Sequence, residues 1–92
     1  IVEHVREIGA YLWEKLEEIA AASDKICGHR GMGLIQGLEF TVPAGPIVSK
    51  ALLEEGLVLI GAGERVIRFV PPLVIERADV DEMVERLRRA IG

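Results

Sequence analysis

Residues 57–72, Leu57-Val58-Leu59-Ile60-Gly61-Ala62-Gly63-Glu64-Arg65-Val66-Ile67-Arg68-Phe69-Val70-Pro71-Pro72, set two short apolar runs on either side of a glycine-bearing turn. A tight hairpin turn needs positive φ, which Gly61 and Gly63 supply without a Cβ penalty. Leu57–Ile60 and a partner running from Arg65 or Val66 to Val70 are therefore expected as antiparallel strands. Pro71-Pro72 must stop the ladder, because neither residue has an N–H to donate. Within the second run, alternation sends Ile67 and Phe69 to one face and Val66, Arg68 and Val70 to the other.

Working outward, a second hairpin precedes this one. Ile26–Arg30 reads as a short strand leading to the glycines Gly31 and Gly33, and Leu34–Phe40 as its partner. Between the hairpins, Pro46 suits the first turn of a helix, where its missing N–H would be unpaired anyway. That helix is expected over 46–55, with Gly56 ending it in the left-handed conformation. At the start of the chain, Ile1, Val5, Ile8, Leu12, Leu16 and Ile19 recur at helical spacing to about Ala22. This pattern begins without an initiating Met or a capping residue, as expected of a cut segment. A last helix is expected from Arg77 or Ala78 to Ile91, with Val80, Met83, Val84, Leu87 and Ile91 on one stripe. Its acids lie early and its arginines late, which suits the helix dipole. The resulting order, α-β-β-α-β-β-α, describes one α+β domain over residues 1–92, with an antiparallel or mixed sheet packed by helices.

Composition narrows the possible functions. The formal charge is −4 and the basic residues are interleaved with acids, so neither nucleic acid nor an anionic membrane is an expected partner. The single cysteine, Cys27, can form no internal disulfide and offers no zinc-site spacing, and a reducing cytoplasm is the expected compartment. Half of the residues are apolar but only Tyr11, Trp13, Phe40 and Phe69 are aromatic, so the core must be built mainly from aliphatic side chains. At this length only about 60–65% of the unfolded surface can be buried, which leaves a thin stability margin.

Few residues are placed for chemistry. Arg68 is a cation bracketed by valines on one strand face, and a guanidinium partly withdrawn from water needs an anionic mate. That mate is either a substrate carboxylate or an internal glutamate, and Glu39 on the other hairpin is the candidate for the latter. Gly31-Met32-Gly33 is followed by a strand and not by a helix N-terminus, so it reads as a turn and not as a phosphate cradle. His4 and His29 are expected on the surface, with no ligand constellation around them, and no metal site is expected. Ser23 and Ser49 form no triad with either histidine, so no catalytic residue is assigned.

Three stretches together resemble the small domain of class III pyridoxal-phosphate-dependent aminotransferases. They are Arg30-Gly31-Met32-Gly33-Leu34-Ile35-Gln36-Gly37-Leu38-Glu39, then Ala44–Leu53 continuing into Gly56–Gly63, then Gly63-Glu64-Arg65-Val66-Ile67-Arg68-Phe69-Val70-Pro71-Pro72-Leu73-Val74-Ile75. Their order and spacing are most similar to the acetylornithine branch of the family, ahead of its ornithine, succinylornithine and 4-aminobutyrate branches. The resemblance covers nearly the whole chain.

The resemblance implies that Arg68 binds the α-carboxylate of the amino-acid or 2-oxo-acid substrate, in a reaction passing an amino group between N-acetylornithine and 2-oxoglutarate in arginine biosynthesis. It implies a C-terminal small domain that closes the active site, working with its own large domain, which carries pyridoxal phosphate on a lysine, inside a homodimer. Lys15, Lys25 and Lys50 do not match the cofactor-lysine pattern, so no cofactor-binding residue is expected here and the chain alone is expected to be inactive. A different class of function, an autonomous α+β binding module, is suggested by Leu57–Ile60, which is apolar on both faces and needs cover or leaves a patch.

Overall fold

A computed structural model describes residues 2–72 and 74–92. The first residue of the opening stripe, Ile1, and Leu73 of the last quoted stretch lie outside these. The elements follow the expected order: α1 (Val2–Ala22), β1 (Ile26–Met32), β2 (Ile35–Phe40), α2 (Gly45–Glu55), β3 (Ile60–Gly61), β4 (Val66–Phe69) and α3 (Arg77–Ile91). The strands form one antiparallel sheet in the order β1-β2-β4-β3. The two hairpins are thus joined through their second strands, and β2 and β4 occupy the centre.

The helices cover a single face of the sheet. Leu38 and Phe40 of β2 and Ile67 and Phe69 of β4 point into the same core as Ile8, Leu12, Leu16 and Ile19 of α1. Ile47 and Ala51 of α2 and Val80, Leu87, Ala90 and Ile91 of α3 complete it. Each fully enclosed leucine, such as Leu12 or Leu16, contributes about 1.5–3 kcal/mol relative to exposure. Helix ends are fixed locally. Pro46 lies in the first turn of α2, and Gly56 ends that helix at φ 66° with its N–H bonded to the Ala51 carbonyl. At the start of α3, the Glu76 N–H donates to Asp79 Oδ2 at 3.0 Å.

Two strand boundaries differ from the sequence reading. In the first hairpin, β1 runs on to Met32, paired with Ile35, so the turn is Gly33-Leu34 alone, with Gly33 at φ 59°. In the second, β3 is only Ile60–Gly61, opposite Arg68 and Ile67. Continuing that register backward would set Leu57 against Pro71, which has no N–H, so the four-residue strand expected over 57–60 cannot be paired along its length.

Close backbone contact locks α1 onto the first hairpin. A Cβ at Gly9 would lie 2.7 Å from the Gly33 carbonyl oxygen and 2.8 Å from its carbon, so only glycine fits there. Beside this contact lies Gln36, buried at 2% exposure. Its Nε2 donates to the carbonyls of Gly9 (2.9 Å) and Gly33 (2.8 Å), and its Oε1 faces His29 Nε2 at 3.1 Å.

His29 corrects an expectation. Its side chain is 3% exposed, stacked on Trp13 with ring centroids 3.7 Å apart, and its Nδ1 is 2.8 Å from Glu17 Oε2. Trp13 and Glu17 are one helical turn apart on α1, and together they enclose the ring from the helix side. His4 is likewise not a solvated residue, since it is half-buried with Nε2 2.8 Å from the Ile75 carbonyl oxygen.

Candidate functional site

The face of the sheet turned away from the helices carries the candidate site. Antiparallel partners share a face, so the register places Arg30 of β1, Gly37 of β2, Arg68 of β4 and Ile60 of β3 in one row across it. A second row holds Gly28, Glu39 and Val66, and a shorter one Met32 and Ile35. Arg68 is exposed while its strand neighbours Ile67 and Phe69 are buried, as the alternation requires. Gly37, directly opposite it, has no side chain, so the space above the central strand is open next to the guanidinium.

The expected internal mate of Arg68 is not found. Glu39 Oε1 is bound instead to Arg30 Nη2, at 2.8 Å. Among the described residues, Arg68 has no ion pair and no side-chain hydrogen bond. The physical reason lies in the register. Glu39 is diagonal to both arginines, across opposite edges of β2, and leans towards β1 because its direct neighbour there is Gly28. A Cβ at Gly28 would fall 3.2 Å from Glu39 Oε1. On the other side, Val66 fills the equivalent position.

The rest of this face is apolar. Val58 is 75% exposed, Val70 52%, Ile60 49% and Ile35 57%. Ile60 lies directly opposite Arg68 in the register. A guanidinium in such a setting matches a planar carboxylate by two parallel charge-assisted hydrogen bonds, and the match strengthens as the surrounding face is withdrawn from water. Sequence alternation identified Arg68, but Arg30, Gly28 and Gly37 needed the register. The signal that could have found them is the parallel between Gly28-x-Arg30 and Val66-x-Arg68.

The lysines lie elsewhere. Lys15, on α1, is 3.8 Å from Glu18 Oε2 and stands over the Tyr11 ring; Lys25 Nζ donates to the Ile91 carbonyl at 2.8 Å. Lys50 is on α2, in the helical layer. None is placed on the Arg68 face, so these residues do not fit a site for an aldehyde cofactor held on a lysine. A groove of about 580 Å³ also lies on the helical side, between α1 and α3, lined by Lys15, Ile19, Asp81, Val84 and Arg88 among others. It shares no residue with the Arg68 row. No cluster of His, Cys, Asp and Glu able to hold a metal occurs among the described residues, and no described helix is long and apolar enough to cross a membrane.

Comparison with known proteins places this geometry. The family model for class-III aminotransferases matches residues 1–91. The acetylornithine aminotransferase of Thermosynechococcus vestitus is 42% identical over all of this chain, and the ornithine aminotransferase of Brevibacillus brevis is 42% identical over 99% of it. Among solved structures, the lysine aminotransferase of M. tuberculosis superposes with a TM-score of 0.89 at 27% identity over 97% of the chain. The chain spans only 23%, 22% and 21% of these three proteins, respectively. With residues 1–91 matched by the family model and with relatives well above 30% identity along its length, the chain belongs to the class III aminotransferases.

Proposed function

We propose that this chain is the C-terminal small domain of a pyridoxal-phosphate-dependent aminotransferase, that it closes the active site, and that Arg68 binds the substrate α-carboxylate. The observation that carries this reading is the placement of Arg68: a guanidinium without an internal partner among the described residues, beside the bare Gly37, on an apolar sheet face. The cover for that face is the protein's own large domain, and the working assembly is a cytoplasmic homodimer. Pyridoxal phosphate, held by the large domain, supplies the electron sink for amino transfer. Arg68 grips the carboxylate through two parallel N–H···O bonds and so fixes the position and tilt of the reacting carbon, which lowers the entropic part of the barrier. The apolar neighbours exclude water from that pair. The amino donor is N-acetylornithine and the acceptor 2-oxoglutarate, as the similarity to acetylornithine aminotransferases supports.

In the full-length enzyme, Arg68→Ala should lower kcat/KM in both half-reactions by about 10- to 150-fold, the loss of a charge-assisted pair of about 1.5–3 kcal/mol. Arg68→Lys should recover little, because a lysine offers a point charge in place of a fork. Unchanged single-turnover rates with each substrate would defeat the assignment. Comparing kcat/KM for N-acetylornithine, ornithine and 4-aminobutyrate then tests the donor, and preference for either of the last two would reassign it. Alone, the 92-residue chain should be inactive, and saturable borohydride trapping of the cofactor on one of its lysines would contradict the division between domains.

A further inference from the structure

The hydrogen bonds around Gln36 fix how many protons the His29 ring carries. Elements α1 and β2 pack against β1, and each supplies a partner to this ring. Gln36 of β2 turns its amide nitrogen towards two carbonyl oxygens, those of Gly9 at 2.9 Å and Gly33 at 2.8 Å. A carbonyl oxygen only accepts, so both N–H bonds of the amide are occupied there and its Oε1 is the atom left for the ring. That oxygen also only accepts, and His29 Nε2, 3.1 Å away, must therefore donate to it. On the other side of the ring, Nδ1 lies 2.8 Å from Glu17 Oε2. The Glu17 side chain is 53% exposed, and a carboxylate in contact with water offers acceptors alone. Nδ1 must donate as well, so the ring holds two protons and one positive charge.

We propose that His29 is an imidazolium that latches α1 to the first hairpin, and that loss of one proton opens the Glu17 half of this latch while the Gln36 half stays shut. The ring is 3% exposed, so its partners are those of this chain. Trp13 stacks on it with centroids 3.7 Å apart and planes 23° from parallel, an arrangement that draws a cation to the indole face. Glu17 is the charged group that α1 turns towards the ring, whereas Lys15 is directed to Glu18 and the Tyr11 ring. On β2, Glu39 lies on the other sheet face, bound to Arg30. A neutral ring keeps a single N–H. Gln36 cannot turn to suit it without abandoning two carbonyls, but Glu17 can swing into water. The remaining proton therefore stays on Nε2, and the bare Nδ1 lone pair repels the carboxylate. These partners exist only in the folded chain, so the latch adds stability while the ring is charged and loses it as pH rises through the ring's titration. Arg68, exposed on the other sheet face, takes no part in it.

The test uses the full-length holoenzyme. Neutron diffraction is recorded from deuterium-exchanged crystals at about pH 7.5, where a histidine without such partners is about nine-tenths neutral. The parent should show deuterium on both ring nitrogens of His29 and none on the Glu17 carboxyl. Glu17→Gln should show it on Nε2 alone, because the new amide can donate to Nδ1. A single ring deuterium in the parent, or one residing on Glu17, would overturn the proposal. Opening is followed in solution by hydrogen-exchange mass spectrometry of peptides from α1 and the first hairpin, corrected for the intrinsic pH dependence of exchange. From about pH 6.5 to 9.5, a range that spans the ordinary histidine titration, protection in the parent should fall about two- to fivefold, the scale of one ion pair. In Glu17→Gln it should stay level, since an amide satisfies the ring in either state. An equal fall in both proteins, or none in the parent, would show that no proton-dependent latch is present.

Discussion

Replacing Gln36 by leucine tests how α1 is joined to the first hairpin. The side chains are similar in size, so the change removes polarity with little change in volume. In the native structure the Gln36 amide donates to the Gly9 and Gly33 carbonyls and accepts from the His29 side. Each bond is worth about 0.5–1.5 kcal/mol net, and a buried partner left unpaired costs more. The Gly9 carbonyl belongs to α1 and keeps its helical partner, whereas the Gly33 carbonyl and the enclosed His29 ring nitrogen lose theirs. The expected destabilisation is about 2–4 kcal/mol. For a domain of this size that corresponds to a fall in Tm of about 10–20 °C. Urea unfolding followed by far-ultraviolet circular dichroism reads the free energy, and a thermal scan reads the midpoint. Glu39→Gln, on the opposite face of the same strand, is the control and should shift stability by no more than about 0.5 kcal/mol. A Gln36→Leu protein within about 0.5 kcal/mol of the parent, the range of ordinary surface substitutions, would refute the claim that this amide ties helix to hairpin.

Other perturbations have equally definite outcomes. Gly9→Ala puts a methyl against the Gly33 backbone and should cost about 1–3 kcal/mol in urea unfolding, because neither backbone can give way without moving α1. The Tyr11 hydroxyl donates to Asp81 Oδ1, and this bond, with burial and the Asp81 charge, raises the phenol's pKa above its ordinary value. The proton is bound more tightly in the folded state, so this contribution is present below about pH 10 and disappears as pH rises through the folded-state value. An ultraviolet titration should show Tyr11 ionising late in the parent and earlier in Asp81→Ala. Conversely, the hydrogen bond from Arg88 and its charge hold the Glu85 carboxyl below the usual glutamate range. That contribution is present above about pH 4 and is lost as pH falls through the lowered value, and carboxyl-carbon NMR should show Glu85 moving back up in Arg88→Ala.

Much of this fold is legible from local pattern. The stripe Ile8, Leu12, Leu16 and Ile19, the Pro46 and Gly56 ends of α2, and the alternation of β4 each follow from spacing or from one residue's backbone preference. The shortness of β3 was less accessible, because it is set by what lies opposite: Pro71 denies Leu57 a partner only once the register is known. His29 was hidden for a related reason. Its burial is created by Trp13 and Glu17, which reach it only after α1 crosses the hairpin. At the candidate site, Arg68 stood out as a cation among valines, yet its freedom from Glu39 depends on a diagonal geometry and on the difference between Gly28 and Val66. Pairwise charge matching along the sequence favours the wrong arginine as readily as the right one.

The two-sidedness of β4 has a consequence for how this segment tolerates change. Ile67 and Phe69 are enclosed by the helical layer, while Val66, Arg68 and Val70 look the other way. Substitutions along five consecutive codons should therefore alternate in kind, losing protein abundance at one position and turnover at the next. A saturation library scored separately for soluble yield and for growth dependent on the enzyme would show a period of two, with the two scores out of phase. Drift in the one set of positions can then proceed with little effect on the other, so that one framework is compatible with more than one chemistry on its opposite face.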